Sequence, residues 1–231
     1  LSVSSPLAAV IFDCDGVLVD TEPLHYQAFQ EVLRPLGMGF DYEHYLDRYI
    51  GFDDRDAFIE AFREAGHSID PATLASLMTA KAKALLRITS KGISSFPGVV
   101  ELVHELVSYK VPLAVASGAL RHEVEAFTDA LGIRTAFSII VAADDVTRSK
   151  PDPETYLTAL VRLKARLNRG DIDPRSCIAI EDTPAGIRSA KEAGIYVIGV
   201  ANSYPVSGLG EADMVVESLT RLDVPGLMRL I

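Results

Sequence analysis

The chain has 231 residues, 48% of them hydrophobic, with 22 basic against 32 acidic side chains and a net charge of −10. That length suits one sizeable domain, or a core carrying a smaller insert, and the apolar content excludes a disordered chain. The acidic balance argues against a general nucleic-acid binder, because phosphate backbones are repelled over most of the surface; an anionic substrate needs cations gathered locally.

In chain order, the first apolar run, Ala8–Asp13, reads as a strand. From about Asp20 to Gly92 the pattern is helical: Thr21-Glu22-Pro23 opens one helix, Gly37 closes it, and Asp70-Pro71 opens another long one. Strand-like runs then recur at Pro112–Ser117, Ser138–Ala143, Cys177–Glu181 and Ile195–Val200. Helices lie between them, from near Leu120 to Gly132, from Asp152-Pro153 to about Asn168 before Gly170, and from Thr183, with Pro184 first, to Gly194. Near-continuous hydrophobicity in the strands fits parallel pairing covered on both faces, so the alternation predicts a doubly wound α/β parallel sheet. The expected domains are a core of 1–19 with 93–231 and a helical insert of 20–92. An insert directly after the first strand is expected above that strand's carboxyl end, where open α/β sheets place ligands, and reads as a lid in preference to a plain packing subdomain.

The first cation is Arg34, so no positive n-region of a signal peptide precedes it, although Leu1 in place of Met leaves room for earlier residues. The run Leu7–Phe12 is too short to cross a bilayer. Two cysteines, Cys14 and Cys177, make neither a disulfide framework nor a zinc site, and a reducing cytoplasm is the expected location. Cys14 reads as a packing residue.

Chemistry concentrates in Phe12-Asp13-Cys14-Asp15-Gly16-Val17-Leu18-Val19-Asp20-Thr21. Three acids close to a strand end repel one another, and a divalent cation removes that repulsion; carboxylate oxygens suit Mg²⁺. Ser117 taken alone is a strand-end turn residue, Lys150 alone a surface lysine, and Glu181-Asp182 alone a helix-capping pair.

Together, Asp13 to Glu22, Val115-Ala116-Ser117-Gly118, Ser149-Lys150-Pro151-Asp152-Pro153 and Glu181-Asp182-Thr183-Pro184-Ala185-Gly186 resemble, in order, the four signatures of the haloacid dehalogenase superfamily. The resemblance implies a Rossmann-like core in which Asp13 is nucleophile and metal ligand. Asp15 is then the general acid and base, lending its carbonyl to the metal. Ser117 and Lys150 hold the transferring phosphoryl group, and Asp182 with Glu181 completes the Mg²⁺ site. Gly16 and Gly118 are substrate-binding candidates beside them. An acid that starts protonated needs a raised pKa, so one carboxylate is held charged and its neighbour neutral. The family's strand order puts Cys14 and Cys177 roughly 15 Å apart, too far for a disulfide.

The insert resembles the small four-helix cap of the β-phosphoglucomutase-like branch. His25 matches a hinge histidine, Gly51-Phe52-Asp53-Asp54-Arg55 falls at the specificity loop, and Lys81 matches a cap lysine, which makes His25, Gly51, Arg55 and Lys81 substrate-binding candidates. His25 reads equally as an ordinary helix-surface residue, and Lys81 and Lys83 as solvated helix charges. Ile50 stands where the mutase has lysine, and Asp54 where it has arginine. A mutase must grip the second phosphate of a bisphosphate, so hydrolysis is the preferred expectation. The expected protein is a Mg²⁺-dependent phosphatase of small metabolites, above all sugar phosphates, acting through an aspartyl-phosphate. A phosphosugar mutase and a phosphoaspartate signalling module are the alternatives. No nucleic-acid or membrane partner is expected, and the chain is expected to be a monomer or a weak homo-oligomer. The helix from Asp152 and its following loop are longer than in the mutase, with no functional account.

Overall fold

In the computed structural model, which describes residues 7–231 apart from 50, 51, 53, 91 and 171, the chain forms two compact units. One comprises Leu1–Asp20 and Ser94–Ile231, the other Thr21–Ile93.

The first unit is built on six strands: β1 (Ala9–Phe12), β2 (Leu113–Ala116), β3 (Phe137–Val141), β4 (Cys177–Glu181), β5 (Tyr196–Val200) and β6 (Met214–Val216). Every neighbouring pair is parallel, in the order β3-β2-β1-β4-β5-β6. Residues of β1, β2 and β4 are buried at every position, the physical reason their sequences read as unbroken apolar runs. On one face Ile11, Ala114, Ala116, Ala179 and Val197 share a core with Tyr156, Ala159, Leu160 and Leu163 of the helix Glu154–Leu167 and with Ile187 and Ala190 of the helix Pro184–Glu192. Phe12 points to the other face by strand alternation and meets the ring of Phe137 edge-on, with centroids 6.0 Å apart. The helix Val99–Ser108 buries Val99, Leu102, Val103 and Leu106, the i, i+3, i+4, i+7 stripe of an amphipathic helix.

The five expected strands all form, each within one or two residues of its expected ends. Thr183 caps the helix Pro184–Glu192 by accepting from the Gly186 N–H at 3.0 Å. The helix Glu154–Leu167 stops at Asn168, which takes the left-handed conformation itself (φ +51°) two residues before Gly170. β6 has no counterpart among the sequence expectations, because three residues, two half-buried and one buried, are too short a run to carry a periodicity. From β1 the chain winds outward through β2 and β3, then returns to β4 on the other side. The winding therefore reverses between β1 and β4, and the crevice at their carboxyl ends is where such sheets bind ligands.

The second unit contains the helices Glu22–Leu33, Tyr42–Arg48, Asp54–Glu64 and Pro71–Thr89. They close around Phe29, Leu33, Tyr45, Tyr49, Ala57, Phe58 and Ala61, with Phe40 stacked on Tyr49 at 4.4 Å between centroids. Asp70 caps the last helix through the amides of Ala72 and Thr73, each at 3.0 Å, and Pro71 opens it as expected. Among the described residues no helix is long and apolar enough to cross a membrane.

Candidate active site

Strand register gathers the site. Phe12 lies between Val115 of β2 and Ile180 of β4, and the Asp13 N–H donates to the Ile180 carbonyl at 3.0 Å. The residues next along the three strands therefore meet at one edge: Asp13 after β1, Ser117 after β2, Glu181 at the end of β4 and Asp182 just beyond. Lys150 enters from the loop after β3. Its Nζ lies 3.0 Å from Asp13 Oδ1 and donates to Glu181 Oε1 at 2.6 Å and to the Ala116 carbonyl at 2.9 Å. A single ammonium thus spends its three protons on three strand ends, far from the surface lysine its isolated sequence position suggests.

Asp13, Glu181 and Asp182 each bring a carboxylate oxygen within 4.8 Å of the others, and all three are buried. Two oxygens in this cluster, Glu181 Oε2 and Asp182 Oδ1, are buried without a hydrogen-bond partner among the described residues. Burial, then the charge on Asp13, pushes the Glu181 carboxyl up to about 7, against the pull of Lys150 and Tyr156. Asp182 is raised well above the ordinary carboxylate range by burial, then by Asp13 and Glu181. Burial opposes the charge on Lys150, but Asp13 and Glu181 outweigh it and raise the ammonium above its ordinary 10.5. Three carboxylates around one ammonium leave an excess of negative charge in a dry place, with two oxygens that receive no donor among the described residues. That donor set fits a hard divalent cation.

The turn after β1 is shaped by Gly16, whose φ of +76° favours glycine. A Cβ there would stand 1.8 Å from Asp182 Oδ2, so no other residue lets the turn lie against that carboxylate. Asp15 precedes it, half-buried, and its side chain stands outside the three-carboxylate cluster. Ser117 is buried, and its Oγ accepts from the Ala119 N–H at 2.9 Å, which leaves the hydroxyl proton free to donate; Gly118 beside it is exposed. Cys14 is fully buried, and burial, then Asp15 and Asp13, push its thiol up, so it packs rather than reacts.

The candidates in the helical unit stand differently. Lys81 is 1% exposed, so the solvated-charge reading fails for it and holds for exposed Lys83. Its Nζ donates to Asp54 Oδ1 at 2.5 Å and to His25 Nδ1 at 2.7 Å, above the Phe29 ring. His25 is correspondingly not an ordinary surface residue. Burial, then Lys81, lowers its pKa to about 4, and the neutral ring accepting at Nδ1 must carry its proton on Nε2. Arg55 is exposed on the helix Asp54–Glu64, while Ile50 and Gly51 lie outside the described residues.

Three residues absent from the sequence expectations belong to the site. The Tyr156 hydroxyl donates to Glu181 Oε1 at 2.6 Å, and its ring lies 5.3 Å from Lys150 Nζ. Asn202 Nδ2 donates to the Gly16 carbonyl at 2.7 Å, and Ser203 Oγ donates to Asp182 Oδ2. The signal for the last two was position alone: they follow β5, at the sheet edge where the other reactive residues lie.

Residues 10–200 match the model of the haloacid dehalogenase-like hydrolase family. The chain is 32% identical to a phosphorylated carbohydrates phosphatase of Thermotoga maritima, over 85% of this chain and 87% of that one. It is 30% identical to the β-phosphoglucomutase of Bacillus subtilis, over 94% and 92% of the two chains. Among solved structures, CbbY from Rhodobacter sphaeroides in complex with phosphate shares 30% identity with a TM-score of 0.78, covering 96% of this chain and 99% of that one. The protein is therefore an enzyme of the haloacid dehalogenase-like hydrolase family, on the branch that holds both the phosphatases and the β-phosphoglucomutases.

Proposed function

We propose that the protein is a Mg²⁺-dependent phosphatase of small phosphate monoesters, sugar phosphates foremost, working through an aspartyl-phosphate on Asp13. The observation that carries this reading is the buried cluster of Asp13, Glu181 and Asp182, with two orphaned oxygens, closed by Lys150. The names of the two curated relatives, a phosphorylated carbohydrates phosphatase and a β-phosphoglucomutase, support the substrate class.

Asp13, Asp182, the Asp15 carbonyl and, in support, Glu181 are the residues to hold Mg²⁺, which when bound neutralises charge between an anionic nucleophile and an anionic ester. The Lys150 ammonium serves the same end, and the free Ser117 proton supplies a neutral donor to a phosphoryl oxygen. An Asp13 oxygen attacks phosphorus, the new P–O bond forms, and the ester P–O bond breaks. Asp15 gives its proton to the departing alkoxide. Asp15 then takes a proton from water, whose oxygen attacks phosphorus, releasing phosphate and restoring the Asp13 carboxylate.

Hydrolysis is favoured over the mutase alternative by the helical unit's own electrostatics. A mutase must hold a second phosphate, yet the buried ammonium of Lys81 is already matched by Asp54. A signalling module needs neither a leaving-group acid at Asp15 nor a four-helix insert. The test is phosphate release from a panel of sugar phosphates. Release is expected to vanish in chelator and return with Mg²⁺, and undiminished release in chelator removes the metal from the reaction. Phosphorus NMR of β-glucose 1-phosphate with catalytic glucose bisphosphate should show free phosphate ahead of glucose 6-phosphate. Rapid isomer interconversion with little free phosphate would make the protein a mutase.

A further inference from the structure

The two residues that follow β5 reach back to both halves of the site. Asn202 binds the carbonyl of Gly16, in the turn that carries Asp13 and Asp15, and Ser203 binds one oxygen of Asp182. The fit is close on all sides, since a Cβ on Gly16 would lie 1.8 Å from Asp182 Oδ2 and 2.8 Å from Ser203 Oγ. Asp182 is 1% exposed, and its other oxygen, Oδ1, has no hydrogen-bond partner among the described residues. A hydroxyl on one oxygen and a backbone turn against it restrain the rotation of the Asp182 carboxylate, in a residue that belongs to the cluster with Asp13 and Glu181.

We propose that Asn202 and Ser203 are positioning residues for the cation site: Ser203 fixes the orientation of Asp182, and Asn202 fixes the turn after β1 against it. The proposal rests on the metal reading given above. Neither side chain belongs to the three-carboxylate cluster, so each acts through the group it holds. Removing the Ser203 hydroxyl leaves the negative charge in place but lets the Asp182 carboxylate turn, which weakens cation binding without deleting a ligand. Threonine keeps a hydroxyl on the same Cβ and restores the constraint.

The test uses Mn²⁺ alone as the probe, titrated into the full chain and followed by the electron paramagnetic resonance of free Mn²⁺. Ser203→Ala is expected to weaken Mn²⁺ binding by roughly 10-fold, with Ser203→Thr close to the parent. Asn202→Ala is expected to lower kcat at saturating Mg²⁺ while leaving KM within about twofold, since binding survives and only the turn that carries Asp13 and Asp15 loosens. Asp182→Asn provides the reference for a lost ligand. Tight Mn²⁺ binding by Ser203→Ala, alongside its loss in Asp182→Asn, would overturn the positioning role and leave the metal site standing. A parent protein that binds no Mn²⁺ overturns both readings together.

Discussion

Asp13→Asn is expected to lower phosphate release by more than about 10⁴-fold, the scale on which removing a covalent nucleophile acts, while leaving the fold intact. The amide is the same size as the carboxylate, and its oxygen still accepts from the Cys14 N–H, now at 2.7 Å, and from Lys150. What disappears is the charge that attacks phosphorus. One fewer carboxylate beside Glu181 and Asp182 relieves repulsion, so the melting temperature in chelator should hold or rise. Asp15→Asn should behave differently. Loss of a positioned acid and base costs about 10²–10⁴-fold. The loss should be smaller for p-nitrophenyl phosphate, whose leaving group departs without a proton. Steady-state release from both esters, with thermal melts of both variants, checks the pair. Substantial turnover by folded Asp13→Asn would remove Asp13 from its assigned role.

Lys150→Met should be the most destabilising single change at the site. It strips the one ammonium from three buried carboxylates, and breaking a buried pair from one side costs about 3–5 kcal/mol. For a chain of this size that lowers the melting temperature by roughly 10 °C. The loss should depend on pH. Glu181 is raised when folded, so between its ordinary 4.5 and about 7 the folded protein holds more protons on this group than the unfolded chain does. Stability contributed by Glu181 therefore falls as pH rises through that window. Lys150 is shifted the other way. Its contribution is complete below 10.5 and is lost only at higher pH, so it does not titrate within the window. The groups facing Glu181 are Asp13, Asp182, Lys150 and Tyr156. With Lys150 gone, the carboxylates repel unchecked, and the variant in chelator should melt higher at pH 5 than at pH 8. Mg²⁺ should narrow the gap by binding the folded state. A variant that melts with the parent at pH 8 in chelator would show that Lys150 does not hold the cluster together.

Sequence and structure agree most closely where function is written into strand ends. β1 and β4 are legible because burial on both faces demands continuous apolar residues; the acids after β1 are legible because such a cluster has few structural uses, whereas Glu181-Asp182 after β4 reads alone as a helix-capping pair and is legible only beside the other motifs. Lys150 was legible only through its motif; an isolated lysine between a serine and a proline says nothing of three partners on three strands. Asn202 was beyond reach, since it stands 186 residues from the Gly16 carbonyl it holds, and only the parallel sheet brings them together. Tyr156 lies on an amphipathic helix, where a core aromatic and a hydrogen-bond donor to Glu181 look the same in sequence. The burial of Lys81 was hidden for a similar reason: its partners Asp54 and His25 come from two other helices, and a lysine inside an apolar helix face contradicts its own periodicity.

Trapping the phosphoryl group tests the central claim most directly. Asp15→Asn retains the nucleophile but lacks the base that activates water, so with radiolabelled acetyl phosphate and Mg²⁺ the first step proceeds and the second stalls. Acid quenching followed by peptide mapping should place acid-stable, hydroxylamine-sensitive label on the peptide containing Asp13, with none in the protein that also carries Asp13→Asn. Label on another residue, or label persisting without the Asp13 carboxylate, would contradict the aspartyl-phosphate mechanism.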